Sequence, residues 1–386
     1  MAKRIYLDHN ASSPLRPEAR EAMLRVMDMP GNPSSIHAEG RALKGEIERA
    51  RRGVAKLVGA EANQVFFTSG ATEAANWALD DWFGRNAIGL VAVSATEHAC
   101  MTDPARPDPA IGMQVPVDAN GLADASVWTR VLSDWDTQHD KPLAVLQLAN
   151  SETGVVQDVM DVATLSRTAG GLSVCDLTQG CGRLDIRRDD LRTDYCLLSG
   201  HKIGGPTGIG ALVARDPNAL PDPLIRGGGQ ERRQRAGTEN VVGIAGFGAA
   251  AEAALRDLDD MPRIRRMRDR LEAGLVDLSA KWGAILHIFG QEAERLPNTS
   301  CFAIEGVDAQ TALMSLDLDG FAVSSGSACS SGKVGPSHVL KAMSVADEVA
   351  ACAIRVSLGW TNEEDDIAAF LAAYERILAR SLKRAA

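Results

Sequence analysis

The sequence predicts an α/β protein, with a larger domain built on a mostly parallel sheet covered by helices and a smaller α+β domain beside it. Three observations lead there. The chain has 386 residues, more than one ordinary hydrophobic core serves. Up to about residue 250, short apolar runs alternate with helical stretches. Beyond it a long charged helical pattern, 253–283, gives way to short strands and a closing helix. The large domain is assigned to residues 16–250, and the small one to 1–15 together with 251–386.

Taken in order, EGRALKGEIERARRGVAKLVG (39–59) reads as an amphipathic helix stopped by Gly59. The strand candidates are 64–67, 89–94, 143–149, 172–177, 195–199 and 208–214. They are continuous apolar runs, as expected of strands buried on both faces. In the second part, strands are expected near 284–289, 299–304, 321–325 and 353–358, before the helix EEDDIAAFLAAYERILARSLKRA.

Composition narrows the function. At 45% hydrophobic and 24% charged residues the chain is that of a soluble globular protein. A net charge of −10 argues against a nucleic-acid or anionic-membrane surface. MAKRIYLDHN has no apolar signal region and no later run spans a bilayer, so a cytoplasmic protein is expected. The seven cysteines include no CxxC pair, which argues against a disulfide framework or a structural zinc. Cys175, Cys196, Cys301 and Cys352 lie in apolar or strand-like contexts and are expected to be inert buried thiols. Cys329 differs: it sits in SSGSACSSGKVG, among small and flexible residues.

The chemistry-bearing residues follow the strands. TSGATE, ATEH, NSETG, DLTQ and SGHK each begin at or just after a strand candidate, and ligands of open α/β sheets bind outside the carboxyl ends of the strands. Ala71 and Thr72 open a helix whose free N–H groups suit a phosphate, although a plain N-cap would look the same. Lys202 follows an apolar strand, where partial desolvation favours a nucleophilic amine able to form a Schiff base, with a solvated loop lysine as the alternative. Ser199 and His201 beside it can donate to one phosphate, and the segment is no Walker A loop. Asp176 needs a partner if buried, and a protonated pyridine nitrogen would serve; a helix-capping role is the alternative. His98 could stack on a ring or move protons, with a locally hydrogen-bonded histidine as the alternative. In AIRVSLG, Arg355 and Ser357 face away from Ile354, Val356 and Leu358, so the guanidinium suits a substrate carboxylate.

Together YLDHNASSP, GNPSSIHAEGR, TSGATEAAN, TEH, NSETG, DLTQ, SGHKIGGPTGIGAL, GGGQERRQRAGTEN, SSGSACSSG and IRVSLG resemble the class V, fold-type I pyridoxal-phosphate enzymes, specifically the NifS/IscS-type cysteine desulfurases. The likeness runs from residue 6 to about 360. It implies pyridoxal 5'-phosphate carried as a Schiff base on Lys202, with Ala71, Thr72, Ser199, Gly200 and His201 around its phosphate. It implies Asp176 at the pyridine nitrogen, Gln179 at the phenolic oxygen, His98 stacked on the ring, and Asn150 and Arg355 near the substrate carboxylate. Thr238 resembles the residue that reaches the phosphate of a neighbouring subunit, which implies a homodimer. Cys329 resembles the sulfur acceptor: L-cysteine would yield L-alanine and a persulfide on Cys329, passed to an iron–sulfur scaffold or another acceptor protein. No permanent metal is implied, though an iron–sulfur cluster could be bound transiently through Cys329. Selenocysteine lyase, or another class V reaction, is the alternative, and a scaffold without turnover the remotest.

Three departures from the family pattern stand out. The segment after His98 is short and rich in proline. Arg233 stands where glycine is common, and would be strained if the position requires positive φ. The chain stops at LARSLKRAA without an extended tail, so delivery to a different partner or surface is expected. The run CSSGKVGPSHVL resembles the longer acceptor loop of the NifS/IscS group rather than the shorter one of the SufS-type branch.

Overall fold

The computed structural model describes residues 4–79, 88–102, 112–135, 141–325 and 337–385. Cys329, and Pro104, Pro107 and Pro109 after His98, lie outside them. The strands are β1 (Ile5–Tyr6), β2 (Val65–Thr68), β3 (Ile88–Ser94), β4 (Gly112–Val115), β5 (Lys141–Val145), β6 (Leu172–Asp176), β7 (Tyr195–Ser199), β8 (Gly210–Ala214), β9 (Leu286–Ile288), β10 (Thr299–Ile304), β11 (Phe321–Ala322) and β12 (Ala353–Ser357).

The main sheet has the order β2-β8-β7-β6-β5-β3-β4. The run from β7 through β6, β5 and β3 to β4 is parallel. β8 is antiparallel to both its neighbours. The ten residues of GHKIGGPTGI (200–209) that link β7 to β8 carry only one short helical turn, too little for a parallel crossover. Because β8 reverses, β2 again runs with β7, and its carboxyl end reaches the same edge as those of β7, β6, β5 and β3. Buried side chains form separate clusters on the two faces of this sheet, which is why its strands read as unbroken apolar runs.

Differences from the sequence expectation have physical causes. β4 was not legible: it is a four-residue edge strand whose first three residues are exposed, so it has no apolar signature. The run 143–149 leaves regular strand at Val145, yet Leu146 and Leu148 still donate to Val174 and Asp176 at 3.1 and 2.9 Å. The charged pattern 253–283 divides into the end of the helix Val241–Arg256 and the helix Met261–Trp282, with Pro262 in the first turn of the second.

The helix Ala38–Leu57 buries Leu43, Ile47, Ala50 and Val54, one face at helical spacing, and Gly59 beyond it has φ +61°. That face packs against the helix Val241–Arg256, where a Cβ on Gly248 would lie 2.3 Å from Ala50 Cα. A second core joins Leu7 and Phe302 to Ile264 and Leu271 of Met261–Trp282 and to Phe370 and Tyr374 of the helix Glu364–Ala385. It lies on the sheet β12-β10-β9, and β1 pairs in parallel with β11. Among the described residues no helix is long and apolar enough to cross a membrane.

Candidate active site

The carboxyl ends of β2, β3, β5, β6 and β7 meet around a cavity of about 390 Å³. Its walls hold Ala71 and Thr72 after β2, His98 after β3, Asp176 and Gln179 at the end of β6, and Ser199, His201 and Lys202 at the end of β7. Sequence separations of up to 131 residues close to one site because parallel strands all end on the same side. Glycine makes the closure possible on the β2–β8 flank: a Cβ on Gly210 would lie 2.6 Å from the carbonyl carbon of Gly70. Gly200 is buried next to Ser199 and does not line the cavity.

Lys202 Nζ donates to the carbonyls of Asn10 and Ala11 at 2.7 and 3.0 Å. His201 Nδ1 lies 3.2 Å from Ser12 Oγ; burial and then the Lys202 charge press its pKa down to about 4, so the ring is neutral at pH 7. A neutral imidazole still has one N–H to offer an anion. Asp176 accepts the Thr178 N–H at 2.8 Å. Thr178 Oγ1, on the same wall, is buried without a hydrogen-bond partner among the described residues.

The backbone N–H of Cys100 donates to His98 Nδ1 at 3.2 Å. A backbone amide can only donate, so Nδ1 accepts and the neutral ring carries its proton on Nε2. Cys100 Sγ lies 3.1 Å from the same nitrogen. Glu97 sits fully buried behind His98, with Oε1 accepting the Gln147 N–H at 2.6 Å. Burial, opposed by that bond and aided by Asp176, pushes its carboxyl well above the ordinary carboxylate range.

The remaining expected residues are placed around the cavity rather than in its wall. Asn150 spends its side chain on the turn: Oδ1 accepts from the Glu152 and Thr153 N–H groups, and Nδ2 donates to Thr96 O. Arg355 is 0% exposed and bonds Asp8 Oδ1 at 2.6 Å and the carbonyl of Ser151 at 3.1 Å. Ile354, Val356 and Leu358 enter the second core, as the alternation predicts. Thr238 is exposed beside a second cavity that shares Ser69 and Gly208 with the first. Cys175, Cys196, Cys301 and Cys352 are buried, and burial raises each thiol, Cys196 to about 11.

Sequence reasoning missed Asp8, Glu97, Cys100 and Arg183. Arg183 carried one usable signal, its position four residues after Gln179, which places both on one side of a helical turn. The others depend on contacts distant in sequence or on backbone geometry.

Chemically, the walls suit a planar aromatic ring that carries a phosphate ester. Hydroxyls and the N-terminus of the helix Ala71–Leu79 line the cavity together with a carboxylate and an amide. An amine and an imidazole complete it. Comparison with known proteins agrees. The family model described as aminotransferase class-V matches residues 5–370. A protein named cysteine desulfurase from Cereibacter sphaeroides is 41% identical over 374 residues, covering 93% of this chain and 92% of its own. The crystal structure of a NifS-like protein from Rickettsia africae superposes with a TM-score of 0.88 at 34% identity, covering 97% and 99% of the two chains. A structure titled SspA in complex with cysteine has a TM-score of 0.75 at 27% identity, over 92% and 98%.

Proposed function

The chain belongs to the aminotransferase class-V family, and from that premise we propose that it is a cysteine desulfurase that takes sulfur from L-cysteine and releases L-alanine. The observation that carries this reading is the convergence of Lys202, Asp176, Gln179, His98 and the Thr72 and Ser199 hydroxyls on one cavity. Cysteine in the SspA structure supports the substrate.

Lys202 would hold pyridoxal phosphate, Ala71, Thr72, Ser199 and His201 would take its phosphate, Asp176 its ring nitrogen and Gln179 its phenolic oxygen, and His98 would pack against the ring. Once bound, the cofactor supplies an electron sink for negative charge at the substrate Cα. The residues of the chain do the rest. Lys202 takes the Cα proton; two carbonyls already hold its amine at the cavity wall. Asn150 and Arg355 hold the substrate carboxylate end, Asn150 by fixing the turn that presents Ser151. His98 moves protons to and from thiols through Nε2. Cys329, as thiolate, forms a bond to the substrate sulfur while the Cβ–S bond breaks, so L-cysteine and one thiol become L-alanine and one persulfide. That persulfide is passed to an iron–sulfur scaffold or another sulfur-acceptor protein. Thr238, exposed and outside the wall of the first cavity, would reach the phosphate of a second copy, which makes the working form a homodimer.

The test is turnover of L-cysteine by the purified holoenzyme, with alanine and sulfide measured for wild type and Cys329→Ser. The expected result is turnover in the wild type and its loss in the variant, with the visible absorbance of the bound cofactor retained. Equal alanine release by both would remove Cys329 as acceptor; no turnover by the wild type would defeat the assignment.

A further inference from the structure

We propose that Arg183 is a positioning residue: it fixes the Gln179 amide so that Nε2–H faces the Lys202 side of the site, and it places a buried positive charge behind the phenolic-oxygen end of the cofactor. This rests on the function proposed above.

Arg183 Nη1 donates to Gln179 Oε1 at 2.6 Å and to the Gln179 carbonyl at 2.7 Å. A guanidinium has no acceptor, so the side-chain atom it meets must be the oxygen, and the orientation of the amide is settled. Nε2 then donates to Asn10 O at 3.0 Å, the carbonyl that also receives Lys202 Nζ at 2.7 Å. One carbonyl thus marks where the Gln179 donor and the Lys202 amine come together. Without Arg183 the amide could turn over and present a carbonyl, which would repel an oxyanion.

The charge is also unusual. Arg183 is 8% exposed, and its other bonds go to the carbonyls of His9 at 3.2 Å and Lys202 at 3.5 Å. All four acceptors are neutral oxygens, which solvate the cation without cancelling it. The ionisable groups around it are His9 and Arg16 of the N-terminal segment, Cys181 of its own turn, His201 and Lys202 after β7, Asp176 at the end of β6, and Arg355 of β12. Burial brings the guanidinium down to about 10, so it stays charged at neutral pH. Its field is felt nearby: burial, then Arg183, then Arg16 push His9 down to about 3.

A fixed donor and a nearby cation both favour the oxyanion form of a ring oxygen over its protonated form. The experiment is a spectroscopic pH titration of the cofactor in the holoenzyme, for wild type, Arg183→Met, Arg183→Lys, Gln179→Leu and the double variant Arg183→Met/Gln179→Leu. Arg183→Met should raise the apparent pKa of the chromophore by about one unit, a tenfold change in proton affinity. Arg183→Lys keeps the charge without the two-point hold and should shift it by less. In the Gln179→Leu background, Arg183→Met should add clearly less than it does alone. An unmoved titration in Arg183→Met, in protein that melts as wild type does, overturns the inference. So does an equal shift in both backgrounds, since Arg183 would then not act through Gln179. Should Arg183→Met fail to fold, Arg183→Lys decides: an unmoved titration overturns the inference and a raised one supports it. A wild-type chain that takes up no cofactor defeats the proposed function and this inference with it; a normal wild-type chromophore unaffected by Arg183 defeats this inference alone.

Discussion

Two buried arginines, Arg51 and Arg183, sit in opposite circumstances. Arg51 meets a carboxylate: Nη1 and Nη2 lie 2.8 and 2.7 Å from the two oxygens of Glu231, which also accepts the Phe67 N–H at 3.0 Å. Burial works against the Arg51 charge, but the bonds and charge of Glu231 and Glu48 outweigh it and hold its pKa above the ordinary value. Arg183 meets only carbonyl oxygens, and burial brings it down. The Arg51 pair carries backbone strain: Glu231, Arg232 and Arg233 run at φ 44°, 56° and 68°, a left-handed stretch with no glycine in it. Arg232 helps to hold it, donating to Asn63 O and Val65 O and lying 4.1 Å over the Phe66 ring. A compensated charge on the flank therefore fixes the fold of a loop, whereas an uncompensated one beside Lys202 is kept for its field.

If that contrast is right, substitutions on the Arg183 side cost function more than stability, and those on the Arg51 side the reverse. The largest expected effect is on Lys202→Ala, which should lower L-cysteine turnover by at least about 10²–10⁴-fold. Its chemical unfolding midpoint should stay close to wild type, and a large loss there would break the contrast. Next, Glu231→Gln leaves Arg51 with only the more exposed Glu48 as counter-charge and should cost about 3 kcal/mol in urea unfolding. A cost under about 1 kcal/mol would mean that the strained loop is held by Arg232 alone.

A smaller effect comes from pH. His9 is held neutral with a folded-state pKa of about 3, below the ordinary 6.5. The unfolded chain therefore binds the proton first, and stability from this group falls as pH drops below 6.5. Between pH 7 and pH 5 its share of the loss is about 2 kcal/mol. His9→Gln should flatten the pH dependence of urea unfolding by that amount; an unchanged slope would show that burial and the Arg183 charge together do not hold His9 neutral. The smallest effect is a gain. Arg233→Gly removes a side chain from φ 68° and should stabilise the protein by about 1 kcal/mol, read as a raised Tm. No gain would place the strain elsewhere.

Arg233 also shows how sequence and structure divide the work. That Arg233 stands where glycine is common was legible only against the family pattern; the actual φ, and the neighbours that share it, were not legible at all. The site followed the same division. Lys202, Asp176, Gln179, His98, Thr72 and Ser199 could be picked out because each comes just after an apolar run, where polar residues serve either a turn or a ligand. Their assembly needed the strand directions, and the reversal of β8 could not be read from an apolar pentapeptide.

The sequence by itself determined the α/β class and the order of most elements, because hydrophobic period and polar punctuation are local properties of the chain, and its motifs carried the resemblance to the family. Only the tertiary structure decided that Arg355 bonds Asp8, that Asn150 is spent on its own turn, and that Arg183 faces carbonyls rather than a carboxylate. The reason is physical. A buried charge or amide takes its meaning from the few atoms within about 3 Å of it, and residues distant along the chain supply most of those atoms.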